Sequence, residues 1–406
     1  MLKKIQDGQE LTYSTLFLLI FAGLIVGLLA GVIDAIFGRV LLFVGDIRKE
    51  YFFYVIPFLG LIGLLIVYLY QTFGGKASKG MGLIFEVGHT QEGGIPLKLI
   101  PLVTVTTWLT HLFGGSAGRE GVAVQLGATI SHYFSLFFNF KNSSRIFLLT
   151  GMAAGFAGLF QTPLAAVLFA LEVLVLGKLG LGALLPATVA AFTASGTSHA
   201  LGLEKFTNIL TTTLNIDILT FVKLAVLGII FGCVGNFFAV FLSFAKQKVS
   251  DLITNPYYRI FIGGLILSLL MVFFYQGRYS GLGTNLISAS FSGHQVYMYD
   301  WLLKLILTVL TLSLGFQGGE VTPLFSIGAS LGVVLATWFR LPIEVVAAAG
   351  YISVFGSATN TLIAPILIGG EIFGFTNLPC FFVVMVFAYV VNRKSSIYAS
   401  QKVLEI

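Results

Sequence analysis

Long apolar runs, interrupted by short groups of glycine and polar residues, dominate this sequence. Two of the clearest runs cover residues 15–37 and 54–73. Each reaches the ~20 apolar residues that a helix needs to cross a bilayer. A membrane barrel would instead show short segments of alternating hydrophobicity. The pattern therefore predicts an all-α integral membrane protein.

Composition agrees with this prediction. The chain has 406 residues, of which 57% are hydrophobic and 10% charged, and a soluble domain is about 25% charged. The net charge of +6 is expected to reflect basic loop residues that contact lipid headgroups and set the membrane topology, rather than a nucleic-acid binding surface. Basic residues crowd the two ends, which predicts that both termini are cytoplasmic. These residues are Lys3, Lys4, Arg393, Lys394 and Lys402.

The polar segment 202–217 divides the chain into two apolar halves, each with one glycine-flanked acidic interruption, at 118–128 and at 318–332. Paired breaks of this kind are typical of inverted-repeat transporters, whose ion site lies at half-helix N-termini near the membrane midplane. Coincidence is the alternative, because glycine is common in membrane helices. Residues 159–176 and 361–375 are broken by proline or glycine, which predicts reentrant or tilted helices.

Three glycine-rich segments, 114–122, 317–323 and 78–88, each precede an apolar helical pattern. A helix that begins in this way presents free backbone N–H groups and a positive dipole end, which attract an anion. Glu120 is an intramembrane carboxylate in the first of these segments. A carboxylate can occupy the same donors as an anion, and it can leave them once it is protonated. Ordinary capping of the helix is the alternative role.

Four segments of the chain resemble motifs of the CLC family of anion channels and proton-coupled antiporters. They are GREG at 118–121, GGEVTP at 318–323, SSIYAS at 395–400 and TPLAAVLFALE at 162–172. The likeness extends over most of the chain, from about residue 15 to 404. Their order and spacing together make the resemblance specific.

The resemblance implies a CLC-like fold, in which broken and reentrant helices form two inverted-topology repeats. The repeats are expected at about 10–203 and 214–393, followed by a final helix at about 396–404 that carries Tyr398. It implies one transmembrane domain over residues 1–406 without a soluble regulatory domain. It also implies a homodimer with one independent pathway in each subunit.

The family's remaining motif, GSGIP, has two candidate positions, at 80–84 (GMGLI) and at 92–96 (EGGIP). The second lies too close to Glu120 to leave room for a half-helix, a loop and a full span. Met81 then replaces the family's chloride-binding serine, and a thioether cannot donate a hydrogen bond. Methionine here resembles the CLC subgroup that exchanges fluoride for protons, although ordinary packing is the alternative.

Further departures from the family pattern agree with this subgroup. Val122 replaces the usual proline, and residues 320–322 replace an apolar residue, phenylalanine and a small residue. Glu172 matches a widespread family glutamate, whereas Val173 stands where chloride/proton antiporters carry their inner proton glutamate. The resemblance thus implies that proton and anion both depend on Glu120.

Glu120 is therefore expected to be the gating and proton-carrying residue, with Thr322 and Tyr398 as polar neighbours. Arg119 is expected either to tether its turn or to pair with a carboxylate. Glu320 is expected to cap its helix, although the same helix end should face an anion. The expected anion-binding residues are Gly80, Met81, Gly82, Gly118, Arg119, Gly121, Val122, Gly319, Glu320, Val321, Thr322 and Tyr398.

The expected function is fluoride/proton antiport that exports fluoride across the plasma membrane, in which the protein is multi-pass. Its partners are fluoride, protons and lipid, and no cofactor, metal or nucleic acid is expected. Chloride/proton antiport and a passive CLC-type anion channel are the alternatives. An intramembrane enzyme is disfavoured, because no Ser/His nucleophile pair or metal motif is visible.

Overall fold

The computed structural model describes residues 13–90, 93–138, 140, 142–392 and 394–403. Lys3, Lys4 and Arg393, which contribute to the predicted orientation, lie outside the described residues. The first half contains the helices α1 Tyr13–Glu50, α2 Phe52–Val55, α3 Leu59–Leu69, α4 Met81–Thr90, α5 Leu99–Leu112, α6 Glu120–Ser135, α7 Ser143–Phe160, α8 Pro163–Glu172 and α9 Leu184–Ala200.

The second half contains the helices α10 Ile218–Leu252, α11 Pro256–Phe273, α12 Thr284–Phe291, α13 Asp300–Leu314, α14 Val321–Phe339, α15 Ile343–Thr359, α16 Ile363–Phe373 and α17 Leu378–Val391. Two short strands, β1 Val175–Leu176 and β2 Lys402–Val403, pair in parallel. The fold is therefore all-α in character, as predicted.

Six helical segments in the described part of the chain are long and apolar enough to cross a membrane. They are Thr15–Glu50, Phe52–Thr90, Ser143–Phe160, Ile218–Leu252, Pro256–Phe273 and Val321–Phe339. Apolar side chains also cover the outside of the molecule. On α1, for example, Phe17, Phe21 and Phe43 are 74%, 62% and 64% exposed. A surface of this kind suits lipid rather than water.

The order of elements in the first half recurs in the second half. A long helix opens each half (α1 and α10), and a short helix follows a glycine with positive φ. These glycines are Gly80 before α4 (φ +51°) and Gly283 before α12 (φ +88°). The two halves meet at an antiparallel bridge between Gly118 and Gly319. Two repeats would produce such a recurrence, and their bounds at about 10–203 and 214–393 stay a prediction.

Close helix crossings hold the site helices in place. A Cβ atom added to Gly155 on α7 would overlap the carbonyl oxygen of Ala123 on α6, and one on Gly127 would lie 2.7 Å from the Gly155 nitrogen. In the second half, a Cβ atom on Gly328 of α14 would overlap the carbonyl oxygen of Gly350 of α15. Small residues let backbones approach in this way inside a membrane.

The short helices α8 and α16 cap each other, which explains how their open ends are covered. The Glu172 carboxylate, at the end of α8, accepts hydrogen bonds from the backbone N–H groups of residues 362–364 at 3.2, 3.2 and 2.9 Å. The Glu371 carboxylate on α16 accepts them from residues 164 and 165 at 3.2 and 2.9 Å. Each carboxylate satisfies donors that its partner helix leaves unpaired.

The predicted final helix at 396–404 is wrong within the described residues. That segment is irregular up to β2. Its path is fixed by contacts with other segments, because the Gln401 amide donates to the carbonyl oxygens of Val173 at 2.8 Å and Thr359 at 2.9 Å. These contacts and the pairing of β2 with β1 replace the hydrogen bonds of a helix.

Candidate functional site

Two helix N-termini converge where the halves meet. Helix α6 begins at Glu120 and α14 begins at Val321, as the glycine-rich motifs predicted. The preceding turns are joined by hydrogen bonds from Gly118 N to Gly319 O at 2.5 Å and from Gly319 N to Gly118 O at 2.8 Å. The positive ends of both helix dipoles therefore face one region.

The Glu120 carboxylate occupies the N-terminus of the opposite helix. Its Oε2 atom accepts hydrogen bonds from the backbone N–H of Thr322 at 3.1 Å and from the Thr322 hydroxyl. It also accepts one from the backbone N–H of Arg119 at 3.3 Å. An anion at this helix N-terminus would use the same donors. The carboxylate and the anion would therefore compete for them.

Glu120 is completely buried, yet its other carboxylate oxygen has no hydrogen-bond partner in the described residues. The Arg119 Nε atom lies 3.6 Å from this oxygen, which agrees with the expected pairing of Arg119 with a carboxylate. Arg119 Nε and Nη1 are likewise buried without hydrogen bonds to the described residues. Within the described residues, the second oxygen is therefore paired only with the Arg119 guanidinium.

A cavity of about 330 Å³, here called the site cavity, lies beside this contact. Met81, the first residue of α4, lines the cavity. In the rejected motif position, a Cβ added to Gly93 or Gly94 would have no described atom within 4 Å. The predicted residues that line the site cavity are Gly80, Met81, Gly82, Gly121, Gly319, Glu320 and Tyr398.

Tyr398 lines the site cavity and is held there by aromatic packing. Its ring is stacked on Phe85 with centroids 5.0 Å apart and lies edge-on to Phe169 at 6.5 Å. The hydroxyl is buried without a hydrogen-bond partner in the described part of the chain. Aromatic packing therefore fixes the position of the ring beside the cavity.

Other predicted anion-binding residues do not line the cavity. Gly118, Arg119 and Thr322 lie around Glu120, next to the cavity lining. Val122 and Val321 belong to the apolar core, with exposures of 0% and 1%. The Val122 N–H also donates to the Arg119 carbonyl at 3.1 Å, so it is not a free donor for an anion.

The expected capping role of Glu320 is wrong. Glu320 is the N-cap residue of α14, but its side chain makes no capping hydrogen bond. Its Oε1 atom lies 3.7 Å from the Lys246 ammonium, and its Oε2 atom lies 3.9 Å from the position of a Cβ on Gly121. The Glu320 carboxylate thus lies beside the first turn of α6 and pairs with Lys246. The sequence analysis did not identify this lysine.

This architecture, with a multi-pass helical fold and two helix N-termini directed at a buried carboxylate, defines a membrane protein that conducts or transports anions. The chain belongs to the family described as voltage gated chloride channel, whose model matches residues 62–393. The predicted CLC family and fold are therefore confirmed.

Three relatives illustrate the similarity. A solved structure described as a CLC-type fluoride/proton antiporter is 57% identical, with a TM-score of 0.95, and the match covers 97% of this chain and all of that one. The "Chloride/fluoride channel protein" of Pseudomonas syringae pv. tomato is 35% identical over 95% of this chain and 86% of its own. A slow cyanobacterial Cl⁻/H⁺ antiporter, 21% identical with a TM-score of 0.80 over 92% of this chain and 93% of its own, shares the fold.

Proposed function

We propose that this protein exchanges fluoride for protons and exports fluoride from the cytoplasm. The observation that carries the proposal is the Glu120 carboxylate bound to the backbone N–H and hydroxyl of Thr322. A titratable anion in the position expected for a transported anion can couple the two movements. The 57% identical structure described as a CLC-type fluoride/proton antiporter supports fluoride as the substrate.

In this mechanism, ionised Glu120 occupies the N-terminus of α14 while the site is empty of fluoride. Protonation neutralises the carboxylate, which then leaves the Thr322 donors. Fluoride then accepts hydrogen bonds from those donors and is attracted by the positive end of the α14 dipole. Return of the ionised carboxylate releases the anion, so proton and fluoride movements alternate at one place.

The need for fluoride export follows from the chemistry of a weak acid. Neutral HF crosses lipid and ionises in the cytoplasm, where fluoride then accumulates. Inward movement of protons drives fluoride outwards in the proposed exchange. In this proposal the protein works as a homodimer in the plasma membrane, with both termini in the cytoplasm, and it catalyses no covalent reaction.

The thioether of Met81 is expected to disfavour chloride. Met81→Ser adds a hydroxyl donor at the site cavity, and chloride should then compete better with fluoride. A hydrogen bond to a charged group contributes about 1.5–3 kcal/mol, which corresponds to a gain of roughly tenfold or more in chloride affinity. Chloride inhibition of fluoride transport measures this gain.

Gly94→Ser is the matched control, because it adds the same hydroxyl in the rejected motif segment, at a glycine where a Cβ would have no described atom within 4 Å, and it should change little. If Met81→Ser leaves both chloride transport and chloride inhibition unchanged, Met81 only packs in the cavity wall.

Glu172→Gln is expected to keep fluoride/proton coupling. The Glu172 carboxylate is committed to the N-terminus of α16, and Val173 is fully buried in the apolar core. Neutralisation should therefore weaken charge-assisted hydrogen bonds and lower stability by about 1–3 kcal/mol, as seen in thermal unfolding.

The ratio of protons to fluoride in a flux assay should stay at the wild-type value. A folded Glu172→Gln protein that carries fluoride but no protons would show that Glu172 is an inner relay, and the single-carboxylate mechanism would be wrong.

The proposed substrate is tested with purified protein in liposomes, where fluoride and chloride gradients of equal size are compared side by side. An outward fluoride gradient should drive proton uptake, and a chloride gradient should drive much less. Equal proton uptake with both ions would favour a chloride/proton antiporter. Fluoride flux without proton uptake would favour a passive channel.

A further inference from the structure

Lys246 places a positive charge in the lining of the site cavity. It lies on α10, lines the cavity and has a side chain that is 47% exposed. Its Nζ atom is 3.7 Å from Glu320 Oε1. Lys79 also lines the cavity, but its ammonium is held by Glu86 at 2.6 Å. Of these two lysines, Lys246 is the one that pairs with the acidic group at the α14 terminus.

Opposite charges stand at equivalent places in the two repeats. Arg119 is the N-cap of α6 and Glu320 is the N-cap of α14, and each directly follows a glycine of the Gly118–Gly319 bridge. A carboxylate at the second position repels an anion that approaches through the cavity. The Lys246 ammonium offsets this repulsion, which accounts for an acidic residue beside an anion route.

The geometry of the pair suits exchange of partners. A separation of 3.7 Å and a half-exposed lysine describe a weak ion pair, and such pairs contribute little stability. An ammonium on a flexible four-carbon stem carries three donors and can turn from one anion to another. The Lys246 ammonium can therefore leave Glu320 and bind a small anion in the cavity with little loss of stability.

We propose that Lys246 is the capture cation of the transport route, which neutralises Glu320 in the empty cavity and binds the entering small anion. The inference rests on the proposed anion transport and adds to it a residue that sets substrate affinity. A solvated surface lysine without function is the alternative. Lys248 is such a residue, because it is exposed on the same helix, about 200° further round, and does not line the cavity.

The experiment measures initial rates of fluoride efflux from liposomes against fluoride concentration, at low and at high ionic strength. Lys246→Gln should raise the fluoride KM about tenfold, at the lower end of the range for electrostatic steering. The maximal rate should stay within about twofold, and the salt dependence of KM should flatten, because the steering charge is gone. Lys246→Met should reproduce this result, and Lys246→Arg should restore a KM near that of the wild type.

Lys248→Gln is the matched control and should behave like the wild type. A fluoride KM for Lys246→Gln and Lys246→Met that equals that of Lys248→Gln would overturn the inference. Loss of maximal rate in Lys246→Arg and Lys246→Gln alike, with KM unchanged, would overturn it in favour of a structural role. Absence of fluoride-coupled proton uptake by the wild type in the same vesicles would instead refute the proposed function.

Discussion

Fluoride-driven proton uptake is expected to fall by a factor of about 10² or more when Glu120 is replaced by glutamine, the loss typical of a positioned proton-transfer group. Glutamine keeps the shape of the side chain and can still accept a hydrogen bond from Thr322. It cannot take up and release a proton. Proton uptake and fluoride flux recorded from the same vesicles measure the effect.

Glu344→Gln is the matched control, because Glu344 is also an acidic residue in the first turn of a helix, α15, away from the site cavity. It should keep the wild-type rate. Unchanged proton coupling in the Glu120→Gln protein would refute the role of Glu120.

Gly155→Val is expected to prevent assembly of the folded protein. The new side chain would overlap the α6 backbone at Ala123, and α6 could not keep the position that presents Glu120 to α14. Overpacking commonly lowers the free energy of unfolding by about 1–3 kcal/mol. A side chain that overlaps backbone atoms should lower it by an amount at the upper end of that range or beyond. Size-exclusion chromatography and thermal unfolding in detergent report the loss.

Gly196→Val is the control for inserting valine into a membrane helix. Gly196 lies on α9, and a Cβ there would have no described atom within 4 Å. The control should therefore fold and transport like the wild type. Equal stability of the two variants would show that the α6–α7 crossing does not depend on Gly155.

The features that depend on residues close together in the sequence were predictable. Apolar length predicted the membrane helices, and the glycine-rich turns predicted the starts of α4, α6 and α14. The spacing of the motifs selected the segment at Met81, rather than that at Gly93, as the start of a short helix, and α4 begins there. Each of these features depends on residues close together in the chain, where propensity and period act directly.

Features that depend on distant residues were not predictable. Lys246 and Glu320 meet only because α10 passes the N-terminus of α14. The caps made by Glu172 and Glu371 join α8 to α16, although proline and glycine had already marked both helices as short. The segment after α17 was expected to be a helix, but hydrogen bonds from Gln401 to α15 and to Val173 hold it in an irregular path.

In the proposed mechanism one carboxylate, Glu120, exchanges protons for fluoride at the N-terminus of α14. The most direct test imposes a proton gradient on liposomes that contain equal fluoride concentrations on both sides, with the membrane voltage clamped to zero by an ionophore. The wild-type protein should move fluoride against its own concentration, in the direction opposite to the protons, and Glu120→Gln should not. Fluoride that never moves uphill in the wild-type protein would contradict the account.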